Sequence, residues 1–240
     1  MVFKSNGAAL NKFPGCAEIG FEHERMHQYA ASLLRSSVDG IPISIKDFDR
    51  FVSALKRLRL EISSVQRELE GALFNLDPLT GVPNRVEMLS KLREQQEFVR
   101  RNHACTLAMM GLDRFKSVND KYGHAVGDQV LIGFARYIMA HLRPYDKVFR
   151  YGGEEFLICL TDTDLETGHA IVDRLREELA SLPFEASGKG IFHVTASFGL
   201  AALDPDMAVE RSIDRADKAL YRAKAEGRNC VVGWDASMVE

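Results

Sequence analysis

The chain has 240 residues, 46% of them hydrophobic and 27% charged, with a formal net charge of −3. That length allows one globular domain with a helical extension, and the slight acidic excess offers no basic stripe of the kind that tracks nucleic acid or an acidic membrane. Neither is an expected partner, and any phosphate recognition must be local. Cys16, Cys105, Cys159 and Cys230 lack CxxC spacing, and Cys105 and Cys159 sit in apolar runs where a reduced thiol acts as a small hydrophobe. No apolar run approaches ~18 residues and no secretory leader pattern opens the chain, so a soluble cytoplasmic protein is expected.

In chain order, Phe21 to Arg35 reads as a helix that ends near the turn Asp39-Gly40-Ile41-Pro42. His23 and His27 share one face at i, i+4 with Cys16 shortly before, a spacing that can chelate zinc; two surface histidines beside an unrelated cysteine fit the incomplete ligand set as well. This stretch resembles part of the chemoreceptor zinc-binding domain. Ser44 with Asp47 resembles a capping box, and apolar residues then recur at Phe48, Phe51, Leu55, Leu58, Ile62, Val65, Leu69, Ala72 and Leu76. Intervals alternating three and four are those of a coiled-coil seam, so a parallel homodimer is expected. An amphipathic helix packed on its own domain is the competing reading. The expected domains are 1–43, a helical sensory or regulatory segment; 44–76, a dimerisation helix; and 77–240, a catalytic domain.

Beyond Asp77 the pattern alternates. Val86 to Asn102 reads as a helix, Thr106 to Leu112 as a buried strand and Val126 to Leu142 as a helix. Val148 to Tyr151 and Phe156 to Leu160 read as strands around a Gly-Gly turn. A helix at Leu165 to Ser181, a strand at Phe192 to Leu200, a helix at Val209 to Lys224 and a short strand near Cys230 to Val232 complete the chain. The order βαββαβ predicts an α/β (α+β) ferredoxin-like fold.

The turn Arg150-Tyr151-Gly152-Gly153-Glu154-Glu155-Phe156 sets two carboxylates after paired glycines, which permit close backbone approach while the acids can hold a hard divalent cation. Upstream, Leu112-Asp113-Arg114-Phe115-Lys116-Ser117-Val118-Asn119-Asp120 leaves a buried strand and is followed by Tyr122-Gly123-His124 and Gly127-Asp128. With Asp77 to Arg85 before them, and Ala216 to Lys224 and Gly227-Arg228-Asn229 after them, these segments resemble the GGDEF diguanylate cyclase family from Asp77 to about Val232.

The resemblance implies condensation of two GTP molecules into cyclic di-GMP with release of two pyrophosphates, using magnesium or manganese. It implies substrate contacts at Asn119, His124, Asp128, Phe115, Gly152, Gly153, Lys224 and Arg228. Glu155 and Lys116 take catalytic roles in this reading, and Glu154, Glu155 and the Leu112 backbone hold the metal. Arg143 and Asp146 resemble the family's inhibitory RxxD site for cyclic di-GMP, with Arg174 as its secondary arginine. One position departs. The family carries a metal-binding Asp two residues before Asp113, and this chain has Gly111 there. Asp113, on the same strand face by period two, is a candidate substitute. A cyclase slowed by Gly111 and a catalytically impaired receptor for cyclic di-GMP or GTP are both expected forms, with a nucleotide-free dimerisation scaffold as a third.

Overall fold

The computed structural model describes residues 16–186, 188 and 190–238; the side chains of Cys16, Glu68, Leu69, Ala72 and Leu73 lie outside the described set. The chain divides into two compact units, residues 1–74 and 75–240.

The first unit is a helical hairpin of α1 (Cys16–Val38) and α2 (Ile45–Phe74). Ser44 closes a capping box, its hydroxyl accepting from the Asp47 N–H at 3.1 Å and donating to the Asp47 carboxylate at 2.7 Å. Arg57 of α2 reaches Glu22 of α1 at 3.2 Å, which fixes the pair as antiparallel. Ala54 and Leu58 are buried in this unit, whereas Phe48, Leu55 and Ile62 of the expected seam stay exposed. The seam residues Leu69 and Ala72 fall on side chains outside the described set. Leu76 lies past the helix, bridged to Pro83 within the second unit, so the apolar repeat outlasts the helix that it predicts.

The second unit is built on a sheet ordered β2-β3-β1-β6-β7: β2 (Lys147–Gly152), β3 (Glu155–Thr161), β1 (Cys105–Leu112), β6 (Ala196–Ala202) and β7 (Val231–Gly233). Neighbours run antiparallel except β6 and β7, which are parallel. This is the ferredoxin-like split arrangement with one added edge strand.

Alternation along β1 sorts its side chains between two cores. Ala108, Met110 and Leu112 join the core under α4 (Phe115–Tyr122), α5 (His124–His141) and α6 (Leu165–Ala180). Cys105, Leu107 and Met109 join the core under α3 (Arg85–Val99) and α7 (Val209–Ala225). Asn84 caps α3 through its side chain. α7 lies flush on the sheet because Gly199 carries no side chain; a Cβ there would stand 2.0 Å from the Leu220 nitrogen. That close approach carries the last turn of α7 over the end of β1.

Two elements differ from the pattern reading. The segment after Asp113 turns at once into the eight-residue α4, too short to show a helical period. The stretch expected to begin a strand at Phe192 instead closes a two-stranded hairpin, β4 (Phe184–Ala186) with β5 (Gly190–Phe192), before β6 starts. Phe184 stacks on Phe134 at 5.8 Å and Phe192 on Tyr122 at 4.2 Å, so apolar residues that resemble a sheet strand serve to seal the α4–α5 face.

Candidate functional site

The GGEEF turn joins β2 to β3 at the end where β1 leaves the sheet. The Leu112 N–H donates to the Glu154 carbonyl at 3.2 Å, and Gly111 stands directly opposite Glu155 in the β1–β3 ladder. Cross-strand partners share a face, so a side chain at 111 would point to the same side as Glu155. Lys224 comes down onto that face from α7, its ammonium 3.4 Å from Glu155 Oε1. Asp217, two turns earlier on α7, is a further acid of this corner. Burial pushes its carboxyl above the ordinary range, and the negative charges of Glu155 and Asp214 push in the same direction.

The turn is held from outside by a network that the motif reading missed. Arg150 donates to the Gly153 carbonyl from Nε at 3.2 Å and Nη2 at 2.8 Å, and pairs through Nη1 with Asp77 at 2.8 Å. Asp77 also accepts from the Thr80 N–H and hydroxyl at 2.8 and 2.6 Å. Burial works to raise the Asp77 carboxyl, but the hydrogen bonds from Thr80 and Arg150 outweigh it and hold the group below its usual value. The leading Asp77 segment thus pins the exposed Gly152-Gly153 tip from across the chain.

Asp113 is not a spare ligand. It is buried, and its carboxylate accepts from the Thr195 hydroxyl at 2.7 Å, the Ser197 hydroxyl at 2.7 Å and the Asn229 N–H at 3.0 Å. These bonds tie the end of β1 to β6 and to the loop after α7. The expectation that Asp113 substitutes for the missing acid is corrected by them. Among the described residues, no group of three or more His, Cys, Asp or Glu side chains is placed to hold a metal ion. Diguanylate cyclases generally use magnesium or manganese, an ion that takes one or two carboxylates together with water and substrate phosphates, and Glu154 and Glu155 are the acids of this turn that could hold it.

Asn119, expected from the family resemblance to contact the substrate, turns its side chain from α4 toward α5. Its Oδ1 is buried and accepts no hydrogen bond among the described residues. Gly127 makes the space, since a Cβ there would lie 1.9 Å from that oxygen. A buried acceptor without a donor is costly unless a ligand supplies one, and the N–H edge of guanine is such a donor. His124 and Asp128 are exposed on the first turns of α5, and Lys116 is exposed on α4. Phe115, expected against the nucleotide, is buried in the core instead, where its ring backs Gly127.

The other expected residues are more dispersed. Arg228 lines a 380 Å³ cleft with Arg114, Lys121, His193 and Asn229, on the far side of α4 from Asn119. Arg143 and Asp146 line a 530 Å³ groove with Glu87 and Lys91. Asp146 is committed there, accepting from the Arg143 N–H at 3.3 Å and the Thr161 N–H at 3.0 Å, while the Arg143 side chain makes no ion pair among the described residues. Arg174 is exposed on α6 near Tyr137 and is not part of that lining. His23 and His27 do meet, Nε2 to Nε2 at 3.1 Å, but no third ligand joins them among the described residues, and the Cys16 side chain lies outside that set.

The family model described as "Diguanylate cyclase, GGDEF domain" matches residues 74–230. The chain belongs to the GGDEF family. Diguanylate cyclase DgcP of Pseudomonas aeruginosa is 42% identical over 64% of this chain and 23% of its own length. Diguanylate cyclase DgcZ of Escherichia coli is 31% identical over 86% of this chain and 69% of its own length. Against the first curated relatives the chain spans about a quarter to a third of their length. Among solved structures, diguanylate cyclase SiaD of Pseudomonas aeruginosa, in complex with its activator SiaC, matches with TM-score 0.64 and 34% identity over 90% of this chain and 82% of that one. The coiled coil and GGDEF domain of DgcB from Caulobacter crescentus, in complex with c-di-GMP, matches with TM-score 0.65 and 28% identity over 76% and 94%. No described helix of the GGDEF chain is long and apolar enough to cross a membrane.

Proposed function

We propose that this GGDEF protein binds GTP between the β1–α4 segment and the Gly152-Gly153 turn and condenses two GTP molecules into cyclic di-GMP slowly. The observation that carries the reading is the corner of Gly111, Glu155 and Lys224, which keeps the family's acid turn and lysine but supplies no carboxylate at 111. The buried, donor-free Asn119 Oδ1 supports guanine as the base. In the reaction, the 3′-oxygen of each GTP attacks the α-phosphorus of the other; the bond to the leaving pyrophosphate breaks, and the hydroxyl proton passes to Glu155. Lys116 and Lys224 offset the charge of the phosphates.

One domain holds one GTP, so two chains must face each other. The exposed Phe48, Leu55 and Ile62 of α2 support a homodimer formed through that helix. Use of GTP supports a cytoplasmic location. The c-di-GMP complex of DgcB supports cyclic di-GMP as product and as inhibitor at Arg143 and Asp146. Gly111 also favours a second reading, a receptor that binds cyclic di-GMP or GTP without turnover.

Incubation with GTP and magnesium or manganese, with products separated by chromatography, tests both. Gly111→Asp is expected to raise the rate at least about tenfold, or ~1.4 kcal/mol of barrier. Equal rates for the two proteins under saturating magnesium would overturn the assignment of slow turnover to Gly111. No product from the native chain, with tight binding of added cyclic di-GMP, would establish the receptor.

A further inference from the structure

The helical hairpin carries a groove that the nucleotide reading does not use. It encloses 640 Å³ and is lined from α1 by Arg25 and Tyr29 and from α2 by Lys46, Arg50, Ser53 and Arg57, with Asp49 the acid among them. Helical spacing explains the alignment on α2, since 46, 50, 53 and 57 recur at intervals of four, three and four and so share one face. Arg25 Nη1 and Arg57 Nε share the Glu22 carboxylate at 3.4 and 3.2 Å, and Arg50 Nη1 pairs with Asp47 at 3.1 Å. Each guanidinium is thus held in place through one nitrogen, and other N–H groups of its fork are left for a further acceptor. Lys46, in the first turn of α2, makes no ion pair among the described residues.

Four cations therefore stand against the carboxylates of Glu22, Asp47 and Asp49. Tyr29 reports which sign prevails. Hydrogen bonding with Arg25 and the charge of that guanidinium hold its hydroxyl below the ordinary phenol value, burial opposes them, and the charges of Arg50 and Arg57 add to the lowering. The field at the groove is thus positive with its acids in place. Glu18 and Glu61, the acids further along the hairpin, line a separate groove with Phe21 and Glu22.

We infer that this groove binds a phosphoryl group, as free phosphate or a small phosphate ester, and that the bound anion bridges α1 to α2. A tetrahedral oxyanion offers acceptors to donors that arrive from two helices, whereas a planar carboxylate fills a single fork. The Tyr29 and Ser53 hydroxyls can donate as well. The groove lies outside residues 74–230, which the GGDEF family model matches, so the inference stands apart from the GTP-binding reading. It gives the helical segment expected to be regulatory a chemical input.

Calorimetric titration of the full chain at low ionic strength, where surface charge is least screened, tests it with inorganic phosphate and with glycerol 3-phosphate. At least one of the two is expected to bind the native chain more tightly than about 1 mM, the tighter naming the source, and acetate is expected to bind at least about tenfold more weakly. The double variant Lys46→Ala with Arg50→Ala is expected to weaken the binding at least about tenfold, with the helical signal in circular dichroism retained. Ser53→Asp, which sets a carboxylate in the groove without removing an ion pair, is expected to do the same. Lys224→Ala, in the proposed GTP site, is expected to bind phosphate as the native chain does. Native binding no tighter than about 1 mM, equal affinity for acetate, or groove variants that fold and bind as the native chain does would each overturn the inference. So would loss of binding in Lys224→Ala, which would place the phosphate in the GTP site instead.

Discussion

The two ends of the proposed nucleotide site are built in opposite ways. At the base end, Asn119 offers a buried oxygen with no donor, and Gly127 surrenders its side chain to make room for it. A buried acceptor left without a donor is a cost that a ligand's N–H would offset, which is what the proposal of guanine at this end draws on. At the other end the reverse holds: Gly111 carries no side chain, and the end of Lys224 fills the space that a Cβ there would enter. In the proposed function the two tasks stand on different elements: the groups proposed to read the base are on α4 and α5, and those proposed to handle phosphate are on β1, β3 and α7.

That comparison breaks first at Asp113, which anchors the strand leading to both ends. Asp113→Ala leaves the Thr195 and Ser197 hydroxyls without their buried acceptor and the Asn229 N–H with Ser197 Oγ alone, and is expected to cost about 3 kcal/mol of folding stability, read from urea unfolding. A loss under ~1 kcal/mol would show that the network is not structural.

Gly127→Ala is aimed at the base end. Its methyl would fall 1.9 Å from Asn119 Oδ1 and must expel that side chain. GTP affinity is expected to drop about a hundredfold, ~2.7 kcal/mol, with the fold retained by circular dichroism. Unchanged affinity would remove Asn119 from the guanine site.

At the phosphate end, Asp77→Asn loosens the turn that presents Glu154 and Glu155, and should cost about 2 kcal/mol at neutral pH. The folded Asp77 carboxyl lies below its unfolded value, so its contribution is complete above about pH 4 and is lost as pH falls through the lowered folded value. Unfolding curves of the native chain and Asp77→Asn should therefore converge on acidification below about pH 4. A difference that persists undiminished in acid would assign the Asp77 effect to packing instead.

Much of this molecule was legible in one dimension. Helices α3, α5, α6 and α7 and strands β1, β2 and β3 announce themselves by period, because each must turn one face or both to a core. The short α4 and the β4–β5 hairpin did not, since a two-turn helix and a three-residue strand hold too few residues for a period, and their apolar residues answer to ring stacking instead. The acid turn was legible from its motif, and so was the missing acid at 111.

What the amino-acid order determined by itself was therefore the set of elements, the family motifs and the one position where an acid is lacking. Only the tertiary structure decided what became of the loss: that Asp113 is spent on partners 82, 84 and 116 residues away, that Phe115 turns to the core, and that Lys224 rests over Gly111. The physical reason is the same in each case. A side chain's charge and shape are local properties, but which donor, core or ammonium meets it depends on how strands and helices distant in sequence are stacked.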